Sequence, residues 1–277
     1  MSDIFAPPLD AIAFIGGGNM ARSLIAGLIR KGVRANTIHV AEPVDAVREQ
    51  LAIDFGVHGH VTAVEAAEGC NTWLLAVKPQ VMAEVCSSLA PLAGIGRPLV
   101  ISIAAGIGRD RLHAWLGGAA TVVRAMPNTP ALLGAGVTGL FAGADVPAPG
   151  RAAAEQLLSS AGRTVWIEDE ALMDAVTAVS GSGPAYVFLL AEAMQAAAQA
   201  QGLPADAAAT LVSETLLGAS RMLVESGEAP AELRRRVTSP NGTTQAAIET
   251  FQAGGFEALV ASAIDAATRR GRELSGR

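Results

Sequence analysis

The sequence predicts an α/β amino-terminal domain over residues 1–168 and an all-α carboxy-terminal domain over residues 169–277. Three observations carry that reading. Short apolar runs alternate with helical segments through the first part of the chain. Those runs are apolar on both faces, as a parallel sheet covered by helices on each side requires. After Glu168 strand patterning stops and only helical segments follow. Finally, a glycine-rich turn, Gly16–Gly17–Gly18, stands where the first apolar run meets the first helical segment.

The elements follow in order. Residues 11–16 (AIAFIG) read as a buried strand ending in glycine. In 19–32, Met20, Leu24 and Leu28 recur at helical spacing and Gly32 is the stop. Residues 37–42 (TIHVAE) make a second strand and 44–56 a second helix. Further strands fall at 72–77, 98–104 and 121–126, with helices around 80–89 and 109–116 between them. Residues 135–142 and 164–169 are closing strands around a helix near 151–160. The carboxy-terminal helices are predicted at 170–180, 184–201, 204–226, 243–252 and 255–274. Several are apolar on nearly every face, AYVFLLAEAMQAAAQA (185–200) above all. A helix without a polar face must be covered all round. A segment of this length can hardly cover itself, so the pattern predicts a homo-oligomer whose chains share one helical core, with Tyr186 buried in it. A self-sufficient bundle packed on the first domain is the alternative.

Composition narrows the partners. The chain has 277 residues and is 51% hydrophobic, enough to bury a sizeable core. Aromatics are 4% and the net charge is −6, so neither stacking on bases nor general polyanion binding is expected, and no nucleic-acid partner. A basic patch for one small anion stays compatible. The most apolar run, from Pro184, is broken by Glu192 and Gln195, so no membrane partner is expected either. Cys70 and Cys86 suggest neither a disulfide framework nor a zinc site. His39, His58, His60 and His113 form no metal-ligand pattern, and surface placement is expected for His58 and His60. The start, MSDIFAPPLD, lacks the basic-then-apolar pattern of an export signal. A cytoplasmic location without metal follows as the expectation.

Gly16, Gly18 and Ala21 stand in G-x-G-x-x-A spacing, after a strand and opening a helix. Gly16 permits a tight turn, Gly18 lets a pyrophosphate approach the backbone, and Ala21 allows close helix–strand packing. The helix start adds free N–H groups and partial positive charge. This predicts a Rossmann-like dinucleotide site with Gly16, Gly18, Asn19, Met20 and Ala21 at its turn. Glu42 ends the second strand, where an acid binds the adenosine ribose hydroxyls and opposes a 2′-phosphate. Arg48 compensates only if it folds back, so both NADPH and NADH stay open as cofactor. Ala76, Val77, Lys78 and Pro79 in AVKPQ, and Ile103, Ala104 and Ala105 in SIAAG, stand at strand carboxyl ends, where ligands bind in such sheets. Lys78 there is either a ligand-orienting group or half of a structural salt bridge. Two prolines around Asn128 and Thr129 make a stiff, non-helical loop suited to walling a nicotinamide ring, or simply to connecting rigidly. Gly181, Gly183 and Pro184 in SGSGPAY (180–186) interrupt a helix and free backbone groups.

Late in the chain, VTSPNGTTQAA (237–247) places hydroxyls, a proline and a glycine before an alanine-rich helix, directly after Arg234–Arg236. Read alone, this entrance is either an anion site made of exposed amides and hydroxyls or ordinary helix capping. The blocks FIGGGNMA, AVKPQ, ISIAAG, RAMPNTPAL, VSGSGPAYVF and ELRRRVTSPNGTTQAAIETFQ together resemble the pyrroline-5-carboxylate reductase family over essentially the whole chain. The last block is the most specific. Asn241 departs from the glycine many members carry, and Glu42 from their small hydroxyl or polar group suited to NADPH.

The resemblance implies hydride transfer from NAD(P)H to the C=N carbon of 1-pyrroline-5-carboxylate, giving L-proline. It implies a homodimer with interleaved carboxy-terminal helices, in some members a decamer. It favours the anion-site reading, in which Ser239, Gly242, Thr243 and Thr244 hold the substrate carboxylate, and it places Arg236 as the arginine nearest the cofactor. On chemical grounds Thr244 is the candidate for hydrogen-bonding the imine nitrogen, an orienting role because a hydroxyl is too weak an acid to be a strong proton donor. Glu170 is a candidate for favouring the iminium cation, with a helix-start carboxylate as its other reading. The competing functions are another imine or β-hydroxyacid oxidoreductase on the same plan, and a non-catalytic dinucleotide sensor. The first usually places a Lys or Asp where this chain has VSGSGPAY; the second would not need the hydroxyl-rich entrance.

Overall fold

In a computed structural model, which describes residues 11–275, strand β1 (Ile12–Ile15) turns Ile12 and Phe14 to one face of a sheet and Ala13 and Ile15 to the other, all buried. The stretch read for an export signal, MSDIFAPPLD, lies outside the described residues. Around β1 stand β2 (Ile38–Ala41), β3 (His58–His60), β4 (Thr72–Leu75), β5 (Leu99–Ser102), β6 (Thr121–Met126), β7 (Gly136–Ala142) and β8 (Gly162–Trp166). They form one eight-stranded sheet in the order β3-β2-β1-β4-β5-β6-β7-β8. The first six strands are parallel, but β7 runs antiparallel to β6, and β8 runs parallel to β7. The reversal follows from the link: a 3₁₀ turn, Thr129–Leu133, returns the chain too quickly for a parallel crossover. Pro130 sits in its first turn, where a missing N–H costs nothing, so the loop expected to be non-helical carries a short helix.

Helices α1 (Asn19–Arg30), α2 (Asp45–Phe55) and α6 (Ala148–Leu158) cover one face, burying Leu24, Leu28, Leu51 and Leu157 against Ile12 and Phe14. Helices α3 (Ala63–Ala67), α4 (Met82–Gly96) and α5 (Arg109–Trp115) cover the other, burying Ala66, Cys86, Leu89 and Leu112 against Ile15, Trp73 and Leu75. Three elements differ from the pattern reading. Helix α4 runs on to Gly96 through Pro91. Strand β3 and helix α3 were not expected as elements. Helix α3 is started by a capping box, with Thr62 and Glu65 each accepting the other's backbone N–H. His58 is exposed and His60 half-buried at the sheet edge, where His60 Nε2 lies 3.0 Å from Nδ1 of His39. Burial, then the His60 and His58 imidazoles, push His39 below the usual histidine value. Among the described residues no group of three or more His, Cys, Asp or Glu is placed to hold a metal ion.

Cys70 and Cys86 are buried and unpaired, and burial pushes each thiol up to about 11. In the unfolded chain both titrate near about 8.5. Below that pH both states are protonated; above it the unfolded state sheds its protons first, so stability is lost as pH rises toward the folded value. We expect a thiol reagent to leave both cysteines unlabelled in the native protein near about pH 8. Fast labelling of either without unfolding would contradict their placement.

The chain divides into two compact units, one running up to Ser182 and rejoined by the segment from Ala267, the other Gly183–Ala266. Between β8 and the helical region lie α7 (Met173–Val176) and a π turn, Thr177–Gly181, closed by Ser182 N–H donating to Thr177 O at 2.8 Å. The interruption expected at 180–186 therefore sits earlier, and Pro184 falls in the first turn of α8 (Gly183–Ala200). There follow α9 (Ala205–Glu225), α10 (Pro230–Arg236), α11 (Thr243–Ala253) and α12 (Phe256–Ser275). Within the second unit α8 packs along α9, yet no residue of α8 is buried, and Phe188 and Leu189 are 67% and 66% exposed. Tyr186, expected in the core, is also exposed in the single chain, because α9 covers only part of this helix. Among the described residues no helix is long and apolar enough to cross a membrane.

Candidate active site

The glycine turn is built as its spacing predicts. Gly16 takes a φ of +108°, and a Cβ there would stand 2.8 Å from Ala76 O, so only glycine fits. Its N–H donates to Ala41 O at 2.9 Å. A Cβ on Gly18 would meet nothing within 4 Å, which leaves open space above the backbone where α1 begins. No side chain caps that end of α1 and no acid lies in its first turn. Ala21 is fully buried under the helix. The carboxyl ends of β1, β2 and β4 thus border a cleft of about 580 Å³, lined by Gly16, Gly17, Gly18, Glu42, Ala76, Val77 and Lys78. An open glycine cradle, an uncapped helix start and this cleft fit the pyrophosphate and adenosine of a dinucleotide.

Two features of the cleft were not legible from sequence. Val61, Ala63, Val81, Glu84 and Val85 also line it. In addition Glu42 is bound at both oxygens: Gly17 N–H donates to Oε2 and Val44 N–H to Oε1, each at 3.1 Å. Arg48 does fold back, but onto the Glu42 backbone carbonyl, 2.7 Å from Nη1, and onto Asp45, 2.6 Å from Nη2. Lys78 is exposed at the cleft edge and makes no ion pair among the described residues.

The other residues singled out after β5 and β6 sit elsewhere in the same unit. Ile103 and Ala105 are half-buried and Ala104 buried just past β5, where Ile103 N–H donates to Leu75 O. Asn128 is buried and both ends of its amide are used: Nδ2 donates to Ser180 O at 3.1 Å and Oδ1 accepts from Val137 N–H at 2.9 Å. It pins a carbonyl of the π turn to the start of β7. Glu170 is also held. Its Oε1 accepts from Nη1 of buried Arg124 at 2.8 Å and from Arg109 N–H, at the start of α5, at 2.7 Å.

In the second unit Gly242 precedes α11 with extended backbone, and Asn241 adopts the left-handed conformation, φ +57°. Gly242 N–H donates to Ser239 O and Asn241 N–H to Gln245 Oε1. No side chain caps α11 and no acid lies in its first turn. Among the described residues the hydroxyls of Ser239, Thr243 and Thr244 make no hydrogen bond, so ordinary capping does not account for them. Arg235 pairs with Glu232 and Arg236 with Glu228, while Arg234 borders an apolar groove with Glu257. The three arginines diverge as expected of one short helix, and Arg236 carries an acidic partner that the sequence did not announce.

Comparison with known proteins agrees with this layout. Residues 170–274 match a family model described as pyrroline-5-carboxylate reductase dimerisation, and residues 11–106 one described as NADP oxidoreductase, coenzyme F420-dependent. A pyrroline-5-carboxylate reductase of Pseudomonas aeruginosa is 52% identical over 264 residues, 95% of this chain and 96% of its own length. The structure of a pyrroline-5-carboxylate reductase from Coxiella burnetii superimposes with a TM-score of 0.93 at 40% identity, covering 96% of this chain and 99% of the other. A Plasmodium falciparum pyrroline carboxylate reductase, solved with NADP bound, gives 0.83 at 26% identity, covering 96% and 98%.

Proposed function

The chain belongs to the pyrroline-5-carboxylate reductase family, and from that premise we infer how its residues divide the work. It reduces 1-pyrroline-5-carboxylate to L-proline with NAD(P)H, the last step of proline biosynthesis. When bound, the reduced nicotinamide supplies the hydride that adds to the C=N carbon. We assign residues 1–168 to dinucleotide binding and 169–277 to dimerisation and substrate.

For the cofactor we propose Gly16, Gly18, Asn19, Met20 and Ala21 at the pyrophosphate and Glu42 at the adenosine ribose. Ala76, Val77, Lys78, Pro79, Ile103, Ala104 and Ala105 are proposed along the strand ends, with Arg236 from the helical region. Asn128 is proposed beside the nicotinamide, held in place by its bonds to Ser180 O of the π turn and Val137 N–H of β7. For the substrate we propose that the amides and hydroxyls of Ser239, Gly242, Thr243 and Thr244 hold the carboxylate. The observation that supports this is the uncapped start of α11 with three unused hydroxyls beside it. An anion bound there needs no permanent cation in contact.

The chemistry asks little acid–base work of the chain. A protonated imine already carries the positive charge that draws a hydride, so the residues must mainly hold its carbon about 3–3.5 Å from the hydride donor. Thr244 is proposed to hydrogen-bond the ring nitrogen, an orienting role, because a hydroxyl is too weak an acid to be a strong proton donor. Glu170, the sequence's candidate for favouring the iminium cation, is ion-paired with Arg124 and accepts the first N–H of α5, so we propose for it instead a role in positioning the loop before α7 and the start of α5.

Helical association is expected from the exposed apolar faces of α8 and α9 and from the match to a dimerisation model. We propose a homodimer with interleaved helices, able to assemble further into a decamer, with no nucleic-acid or membrane partner. The unpaired cysteines support a cytoplasmic location. The decisive assay follows nicotinamide absorbance with the purified protein. NADH or NADPH should be consumed only when pyrroline-5-carboxylate is added, with L-proline as product. No consumption with either cofactor near neutral pH would reject the assignment.

A further inference from the structure

Resting on the reading that the cleft beside Gly16–Gly18 takes the adenosine half of the cofactor, we infer that Glu42 makes this chain prefer NADH, by opposing the 2′-phosphate that distinguishes NADPH. Both oxygens of Glu42 accept backbone N–H groups, from Gly17 and from Val44. The first bond ties the carboxylate to the glycine turn itself, so the charge cannot swing aside for a second anion without releasing that turn. A ribose with two hydroxyls donates to such a carboxylate; a ribose phosphate meets like charge.

A chain that favours NADPH needs a cation near that phosphate; Arg48 on α2 and Arg22 on α1 are engaged elsewhere, and Lys78 is the cation that lines the cleft. Arg48 is spread between the Glu42 carbonyl and Asp45. Its stem lies across β3, where a Cβ on Gly59 would stand 2.6 Å from Arg48 Cγ, and the guanidinium is anchored at both ends of its reach. Arg22 is paired with Asp54 and stacks over Phe55. The charged residues lining the cleft are Glu42, Glu84 and Lys78, and Lys78 follows β4, not β2. The balance at the ribose end is therefore acidic. The capacity to use both cofactors is unaffected; the affinity ratio is what Glu42 sets.

The test is a binding titration of the full-length protein, independent of turnover, reading nicotinamide fluorescence with NADH and NADPH and displacement by 5′-AMP and 2′,5′-ADP. The expected result is a dissociation constant for NADPH at least about tenfold above that for NADH, with 5′-AMP displacing better than 2′,5′-ADP. Glu42→Gln keeps an acceptor for Gly17 N–H while removing the charge, and should move the NADPH-to-NADH ratio about tenfold toward NADPH, mostly by tightening NADPH. Glu42→Ser should move it in the same direction. Equal or tighter NADPH binding by the natural chain overturns the inference, as does a ratio that neither variant shifts. A protein that shows the preference but does not reduce pyrroline-5-carboxylate would reject the proposed reaction and leave this inference standing. Absence of binding by either dinucleotide would overturn it together with the assignment of the cleft.

Discussion

Replacing Thr244 by alanine is expected to lower kcat by about ten- to a hundredfold, the loss of one charge-assisted hydrogen bond of about 1.5–3 kcal/mol, with thermal stability nearly unchanged. The two halves of that expectation rest on different observations. The rate effect rests on the proposal that the Thr244 hydroxyl meets the ring nitrogen. The stability half rests on the structure: that hydroxyl makes no hydrogen bond among the described residues, and α11 begins without a side-chain cap. Had Thr244 been a cap, its removal would cost about 1 kcal/mol of stability and little rate. Thr244→Ser, which restores the hydroxyl, should recover most of the activity. Steady-state kinetics with pyrroline-5-carboxylate and a thermal melt of each variant distinguish the cases. Unchanged kinetics in Thr244→Ala remove the residue from the mechanism, and a large drop in melting temperature returns it to a structural role.

Glu170→Ala is expected to have the opposite profile, a loss of about 3–5 kcal/mol in stability, because it strands the Arg124 guanidinium without its carboxylate. The Arg124 side chain is 5% exposed on β6 and Glu170 is its ion-pair partner. The same oxygen accepts the first N–H of α5, so the substitution also leaves that helix start unsatisfied. Glu170→Gln keeps an acceptor and should lose distinctly less. The double variant Arg124→Leu/Glu170→Leu, which removes both charges, should be more stable than Glu170→Ala. Denaturant unfolding of the four proteins measures this directly. If Glu170→Ala melts like the natural chain but shows a shifted pH profile for reduction, Glu170 acts on the substrate nitrogen and the positioning role is wrong.

Much of the fold was readable because its periodicities are strong. The runs that became β1, β4, β5 and β6 are buried at nearly every residue, and their shortness, branched residues and flanking turn residues separate them from buried helix segments. What escaped lacked such a signal. Strand β3 is His-Gly-His, with neither apolar alternation nor branched residues, and its pairing with β2 makes it a strand. Helix α3 has five residues, too few for a periodicity, although Thr62 and Glu65 hold the spacing of a capping box. The reversal between β6 and β7 follows from a link in which Pro127, and Pro130 in the turn itself, read only as stiffness.

The glycine turn was legible because each residue has a local reason to be there. The occupancy of Glu42, Asn128 and Glu170 was not: their partners lie 25, 52 and 46 positions away, and a polar side chain does not announce which distant group will claim it. Arg48 was legible only as an alternative. It folds back as one reading required, but it chooses the Glu42 carbonyl and Asp45 over the cleft.

The absence of any buried residue in α8 has a consequence for how the protein comes into being. A newly released subunit carries an oily rod, Val187–Leu190, that water penalises until a mate arrives. Its survival then depends on encounter frequency, and its apparent robustness in the test tube should rise with dose. Where synthesis is sparse, proteases and clumping compete for the same surface that assembly needs, so supply of this catalyst should fall more steeply than the supply of its message.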